Sequence, residues 1–302
     1  MNEEQEKKDE FFIPEKEFFI NVVNNIPKGY ELNQDKKANF LHGLLKDDFK
    51  CYINIYKEYV FEFFNIRIQA SLFKGSDNKG KVYYFSRKMD CKNMDQSEIS
   101  NYKNIENARI SQHLRNSFTL TINDENCYDN PDIKVVFGES GFLFLNNFVN
   151  IDADSKNEQN EKFENTLILY ALYIAYMEKI DEFLQNTSTL YFDKKHKNAS
   201  DIRKQIYIFG LKHFFTNPVK HSRQQLHVLW NIIEEYYKIG NKYAEIKAQA
   251  EDIIDIIEIE QKEYDDNKQR KRDNRINLIA FIITLAGAIS IVKDTIDLFK
   301  GG

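Results

Sequence analysis

The side chains of this 302-residue chain that could do chemistry are its carboxylates, its cations and six histidines. Carboxylates crowd the last third: Glu234, Glu235, Glu245, Glu251, Asp252, Asp255, Glu258 and Glu263, followed by Asp265 and Asp266. On a helix repeated around an assembly axis, such residues form acidic rings that gather cations; on a lone helix they are a solvated face. Asp255, Glu258 and Asp266 are the candidates for the ring. No cofactor is expected, with a divalent cation at that face as the one exception.

The histidines stand at 42, 113, 196, 213, 221 and 227. His221 and His227 are six apart, which on a helix puts them on different faces and gives no metal pair. Lys194, Lys195, His196 and Lys197 form a basic loop of the kind that contacts a phosphate. Arg87, Arg115, Arg203, Lys204 and Arg223 are the other cations with which a small anionic ligand, such as a nucleotide, would be sought. The chain has no Walker A sequence, no G-x-G-x-x-G, no G-x-S-x-G and no H-E-x-x-H. Gly138-Glu139-Ser140-Gly141 is one residue short of a nucleophile elbow and reads as a hairpin turn. No enzyme is expected.

Composition bounds the rest. With 42% hydrophobic, 29% charged and 14% aromatic residues, the chain is neither collagenous nor wholly disordered, and 24 Phe with 17 Tyr can fill a sizeable core. A net charge of −5 gives no general attraction for phosphate backbones, so no direct nucleic-acid partner is expected. Cys51, Cys91 and Cys127 are odd in number and widely spaced, which fits a reducing compartment. The acidic start lacks the apolar core of a secretion signal, so the bulk of the chain is expected in the cytosol.

The elements that position these residues follow from periodicity. Residues 276–292 carry no charge, and as a helix they cover roughly 25 Å against a hydrocarbon core of roughly 30 Å. The reading is a C-terminal transmembrane helix with a short tail over 276–299, anchored in the cytoplasmic membrane. Lys268, Arg270, Lys271, Arg272 and Arg275 form a basic collar that places the preceding chain in the cytosol. Asn277, Ala280, Thr284, Gly287 and Ala288 fall near one face, a stripe for helix association or for a pore lining. The alternative is a buried core helix.

Asn217 and Pro218 read as a helix start, and apolar positions recur from Leu229 to Tyr243 and from Ile246 to Ile257 in steps of 3 and 4. Unbroken from 218 to 275 this makes a stalk of roughly 87 Å, with a bend expected near Gly240. Helices are also expected over about 158–185 and 199–215, which with the stalk make a helical part over 158–275. The first 150 residues show period-two alternation: two or three strands within 49–73, and others at 81–86, 117–122, 133–137 and 142–148. Helices are expected at 34–47 and 96–114. The fold class is therefore α+β: a disordered tail over 1–12, a mixed-sheet head over 13–152, a short, polar and partly helical connector within 152–161, then the long-helix stalk.

A mixed head, a helical layer, a very long helix begun by Pro218, a basic collar and an apolar end resemble the CorA-like family of divalent-cation transporters. The likeness is one of architecture: the family's Gly-Met-Asn motif is absent, since Gly287 is followed by Ala288 and Ile289, and no second span follows. The resemblance implies a homo-oligomer, pentameric in the family, with stalk helices lining its axis. Some CorA-like proteins act beside CRISPR systems as antiviral membrane effectors gated by a nucleotide second messenger. The first expectation is thus a ligand-responsive membrane effector or channel. The alternatives are a CorA-type cation transporter and a non-enzymatic tethered binding scaffold.

Overall fold

The computed structural model describes residues 15–72, 80–86, 95–114, 120–146, 153–193 and 199–300. Two compact units emerge: Met1–Leu184 with Gln205–Lys247, and Gln185–Lys204 with Ala248–Gly302.

The first unit is built on a nine-stranded sheet. Its strands are β1 (Lys16–Val22), β2 (Glu31–Leu32), β3 (Lys50–Ile53), β4 (Tyr59–Phe63), β5 (Ile66–Leu72), β6 (Lys81–Ser86), β7 (Cys127–Asp129), β8 (Ile133–Gly138) and β9 (Gly141–Asn146), in the order β2-β3-β4-β5-β1-β6-β9-β8-β7. All neighbours are antiparallel except β6 and β9. Every residue of β4, β8 and β9 is buried, which is why these segments read as apolar runs more than as alternations: both faces of the sheet are covered there. Gly138 pairs with Gly141 across a two-residue turn, and a Cβ on Gly141 would lie 1.8 Å from the carbonyl oxygen of Lys81. Only glycine allows β6 and β9 to pair at that point.

The helices are α1 (Gly43–Asp48), α2 (Gln96–His113), α3 (Ala153–Asp193), α4 (Ala199–Lys212), α5 (Gln224–Tyr237) and α6 (Ile239–Lys300). In α3, residues 167–172 are buried at every position, and the Phe163 ring meets Phe18, Tyr84, Phe142 and Phe144. Burying rings of this size stabilises by about 1.5–3 kcal/mol each. The polar segment expected as a partly helical connector is helical from Ala153 as the opening turns of α3, with Lys156, Glu158 and Glu161 exposed. The expected helix at 34–47 is reduced to α1, residues 120–122 form no strand, and 117–119 lie outside the described residues.

The stalk helix differs from its expectation. Pro218 does not start it: Val219 bridges Leu41, and the carbonyl of Pro218 accepts the His42 amide at 2.8 Å. The helix starts at Gln224 and is interrupted at Lys238, whose φ of +55° is left-handed and whose amide donates to the carbonyl of Glu234. This is a helix end capped by a non-glycine residue, two positions before Gly240, and α6 begins immediately after it.

In the second unit Ile254 and Ile257 are buried against Ile202 and Ile253. From 258 to 285 every residue of α6 is exposed. Among the described residues no helix is long and apolar enough to cross a membrane, so the expected C-terminal transmembrane helix is corrected, and the membrane-protein and ion-channel expectations with it. The described apolar side chains of that region, 276–285, span ten residues, or about 15 Å of rise, half of a hydrocarbon core of roughly 30 Å. The rest of that run, including Gly287 and Ala288, lies outside the residues whose side chains are described.

Candidate functional site

A cleft of about 650 Å³ opens on the first unit. Four pieces of chain distant in sequence build it. The end of α1 brings Leu44, Asp47 and Asp48; β3, β4 and the turn after β4 bring Lys50, Glu62, Phe64 and Asn65. α3 brings Lys179 and Phe183, while α4 and the residue after it bring Gln205, Ile208, Phe209, Lys212 and His213. Charges of both signs thus line the cleft together with Leu44, Phe64, Phe183, Ile208 and Phe209.

Much of that charge is internally compensated. Glu62 is buried, with Lys50 Nζ 2.7 Å from Oε1 and Arg67 Nε 2.5 Å from Oε2. Burial alone would raise its pKa, but the two cations outweigh burial and hold the carboxyl below its usual range. The same bond raises the pKa of Lys50. Lys179 pairs with Glu182 at 2.8 Å and lies over the Phe183 ring. His213 Nδ1 is 3.0 Å from Asp48 Oδ2 but outside hydrogen-bond geometry. Burial lowers the His213 pKa, Asp48 opposes that, and Lys212 and Lys179 add to it. The imidazole is therefore mostly neutral at pH 7, and Asp48, which also helps to raise the Lys50 pKa, has no ion pair with a lysine or arginine among the described residues. Asp47 and Lys212 likewise have no ion pair there.

The turn at the cleft wall is strained. Phe63 pairs with Ile66, and the two turn residues have φ +36° at Phe64 and +69° at Asn65. Two-residue hairpin turns of this kind favour Asn-Gly; a bulky aromatic at the first position costs about 1–2 kcal/mol. The ring is held in place, stacked on Tyr176 at 5.6 Å and edge-on to Phe209 at 5.2 Å. Aromatic packing offsets the backbone cost and fixes one wall of the cleft.

The residues singled out by sequence lie elsewhere. Arg203 is clasped by the acidic face, 2.8 Å from Asp255 and 3.7 Å from Glu258. Arg223 is exposed just before α5; Arg87, Arg115, Lys194 and Lys195 lie outside the described residues. Asp266 and the basic residues Lys268, Arg270, Lys271, Arg272 and Arg275 are exposed on α6. So are Asn277, Ala280 and Thr284, the hydroxyl of Thr284 donating to the Ala280 carbonyl at 2.9 Å. His221 and His227, expected on separate helix faces, stack at 4.6 Å because residues 218–223 are not helical. Among the described residues no group of three or more His, Cys, Asp and Glu is placed to hold a metal ion.

The sequence offers His213 only as one of six histidines, and Asp47, Asp48, Lys179 and Lys212 not at all, because no local motif joins them and only the folded chain brings them together. No family model, no curated protein and no solved structure matches this chain, and the resemblance to CorA-like transporters rests on element order alone.

Proposed function

We propose that this protein is a non-enzymatic sensor that works as an assembly of identical copies: the first unit binds a small molecule in the cleft, and α6 joins the copies in parallel. The observation that carries the reading is the run of 28 exposed residues from 258 to 285. It includes Ile276, Leu278, Ile279, Phe281, Ile282, Ile283 and Leu285, each more than half exposed. A surface of this kind marks an interaction site, and a helix this long is stabilised chiefly by partners packed along it.

The same segment of a second copy matches it in length and character. Each large apolar side chain covered there contributes about 1.5–3 kcal/mol, whereas an exposed ion pair contributes about 0.2–1 kcal/mol. Apolar matching therefore sets which segments meet, residues 276–285 of one copy against the same residues of the next, and the arrangement proposed is parallel and in register. Catalysis is absent from the proposal because the cleft offers no activated nucleophile and the chain no catalytic motif.

Sedimentation of the full chain tests the reading. An oligomer is expected at micromolar concentration, with the Ile279→Asp and Ile283→Asp double variant reduced to monomer while its circular dichroism is unchanged. A full chain that sediments as a monomer at every concentration and salt level would sink the assembly.

A further inference from the structure

Resting on the proposed assembly through α6, we infer that the first units of neighbouring copies also touch: the turn carrying Ile55 and Tyr56 of one copy enters an acidic groove along α5 of the next. The turn joins β3 to β4 and is held by a dense set of hydrogen bonds. Asn54 Oδ1 accepts the backbone amides of Tyr56 at 2.9 Å and Glu58 at 3.0 Å. The buried Glu58 carboxylate accepts the side-chain amide of Asn54 at 2.6 Å, the Tyr30 hydroxyl at 3.0 Å and the Leu72 amide at 2.9 Å. This framework displays Ile55 at 86% and Tyr56 at 64% exposure. Beside them Lys57 is exposed, with no ion pair among the described residues. Large apolar side chains fixed in water mark an interaction point, and a turn that is already ordered loses little entropy on binding.

The groove, about 440 Å³, is formed by α5 and the segment just before β7. Val228 and Ile232 line it with Asp124, Glu125, Glu234 and Glu235, and among the described residues no lysine, arginine or histidine does. Glu234 accepts the Gly240 amide and Glu235 pairs with Lys238, whereas Asp124 and Glu125 have no ion pair among the described residues. An apolar tip that carries a lysine matches this groove in character and in charge, and an acidic partner is repelled by it. Burial of Ile55 and Tyr56 supplies most of the affinity, and the charges choose the surface. The same chain carries both halves of the contact. The turn lies toward the β2 end of the strand order and the groove at the β7 end, so each copy offers its turn to one neighbour and its groove to another, and in a parallel assembly such a head-to-tail contact closes as a ring. Stable interfaces bury roughly 1,200–2,000 Å²; a two-residue tip falls short of that and depends on α6 to keep the first units close.

Cross-linking of the full chain tests the contact. The Ile55→Cys and Val228→Cys double variant, oxidised and run on a non-reducing gel, is expected to give a ladder of covalent multimers, while each single variant gives no more than the wild type with its native cysteines. Lys57→Glu should raise the dissociation constant of the assembly about fivefold, and adding Glu125→Lys should restore it. The thermal transition of each variant checks its fold. No ladder from the double variant, an equal ladder from a single variant, or a loss at Lys57→Glu that Glu125→Lys leaves in place would overturn the contact. Sedimentation keeps the two readings apart: an assembled chain that gives no ladder loses the contact between first units and keeps the α6 assembly, and a chain that stays monomeric loses both.

Discussion

At the scale of single residues, the cleft is governed by how burial and neighbouring charge compete. Glu62 stays ionised in a buried setting because Lys50 and Arg67 bracket it, and removing either cation would leave a charge that water cannot reach. His213 goes the other way: burial and the lysines prevail over Asp48 and lower its pKa from 6.5. His113 is lowered too, by burial first and then by Arg109 and Lys81. A histidine whose folded value lies below its unfolded value binds more protons when unfolded. The stability linked to it is present above about pH 6.5 and is lost as pH falls through the lowered folded value. Urea midpoints should therefore decline between pH 7 and pH 5, and His213→Gln should flatten part of that decline; a midpoint unchanged over this interval would contradict the assignment. The strain at Phe64 belongs to the same scale. Its side chain is legible in the sequence only as one more aromatic, since nothing in the letters announces a positive φ.

At the scale of elements, the junction between α5 and α6 shows a backbone feature overriding a side-chain pattern. Periodicity joins the two into one stalk, because heptad-like spacing continues on both sides of Lys238. The structure interrupts the helix there with a left-handed residue, and Tyr237 beside it stacks on Tyr173 at 3.9 Å. That left-handed residue ends α5 beside the buried Tyr237, and α6 begins at the next position. Lys238→Gly relieves the left-handed cost and should stabilise the fold by about 1 kcal/mol, even though it removes the exposed Lys238–Glu235 contact, a pair of a class worth little. Thermal denaturation checks this, and a lowered transition temperature would mean that the ion pair outweighs the strain. Among the strands, β6, β8 and β9 stand out in the sequence as apolar runs with a glycine-flanked turn. β1 is not evident, because Lys16 and Glu17 lie beside its buried Phe18, Phe19 and Ile20 and blur any alternation.

At the scale of the whole molecule, the charges along α6 set how its assembly responds to solution conditions. Residues 258–266 hold five carboxylates and one lysine, and 267–275 hold five cations and one aspartate. In a parallel, in-register assembly each block meets its own kind in the neighbouring copy. Like charges on helices packed 8–10 Å apart repel within a Debye length of about 8 Å at physiological salt. Assembly should therefore strengthen as sodium chloride rises from 20 to 500 mM, read as a falling dissociation constant by sedimentation equilibrium. Weakening over the same range would favour an antiparallel arrangement, in which the acidic block of one copy faces the basic block of the other.

What the sequence determined by itself is whatever local period and composition encode: a mixed sheet in the first half, long helices in the second, the Gly138–Gly141 hairpin, and a chain with no familiar catalytic motif. Those features follow from neighbours a few residues apart. The tertiary structure alone decided that the acidic face would clasp Arg203, that His221 and His227 would stack, and that α6 would lie exposed from 258 to 285. It also gathered segments near residues 47, 64, 179 and 212 around one cleft. These outcomes depend on long-range packing and on which backbone positions take up strain, and no short window of sequence records either.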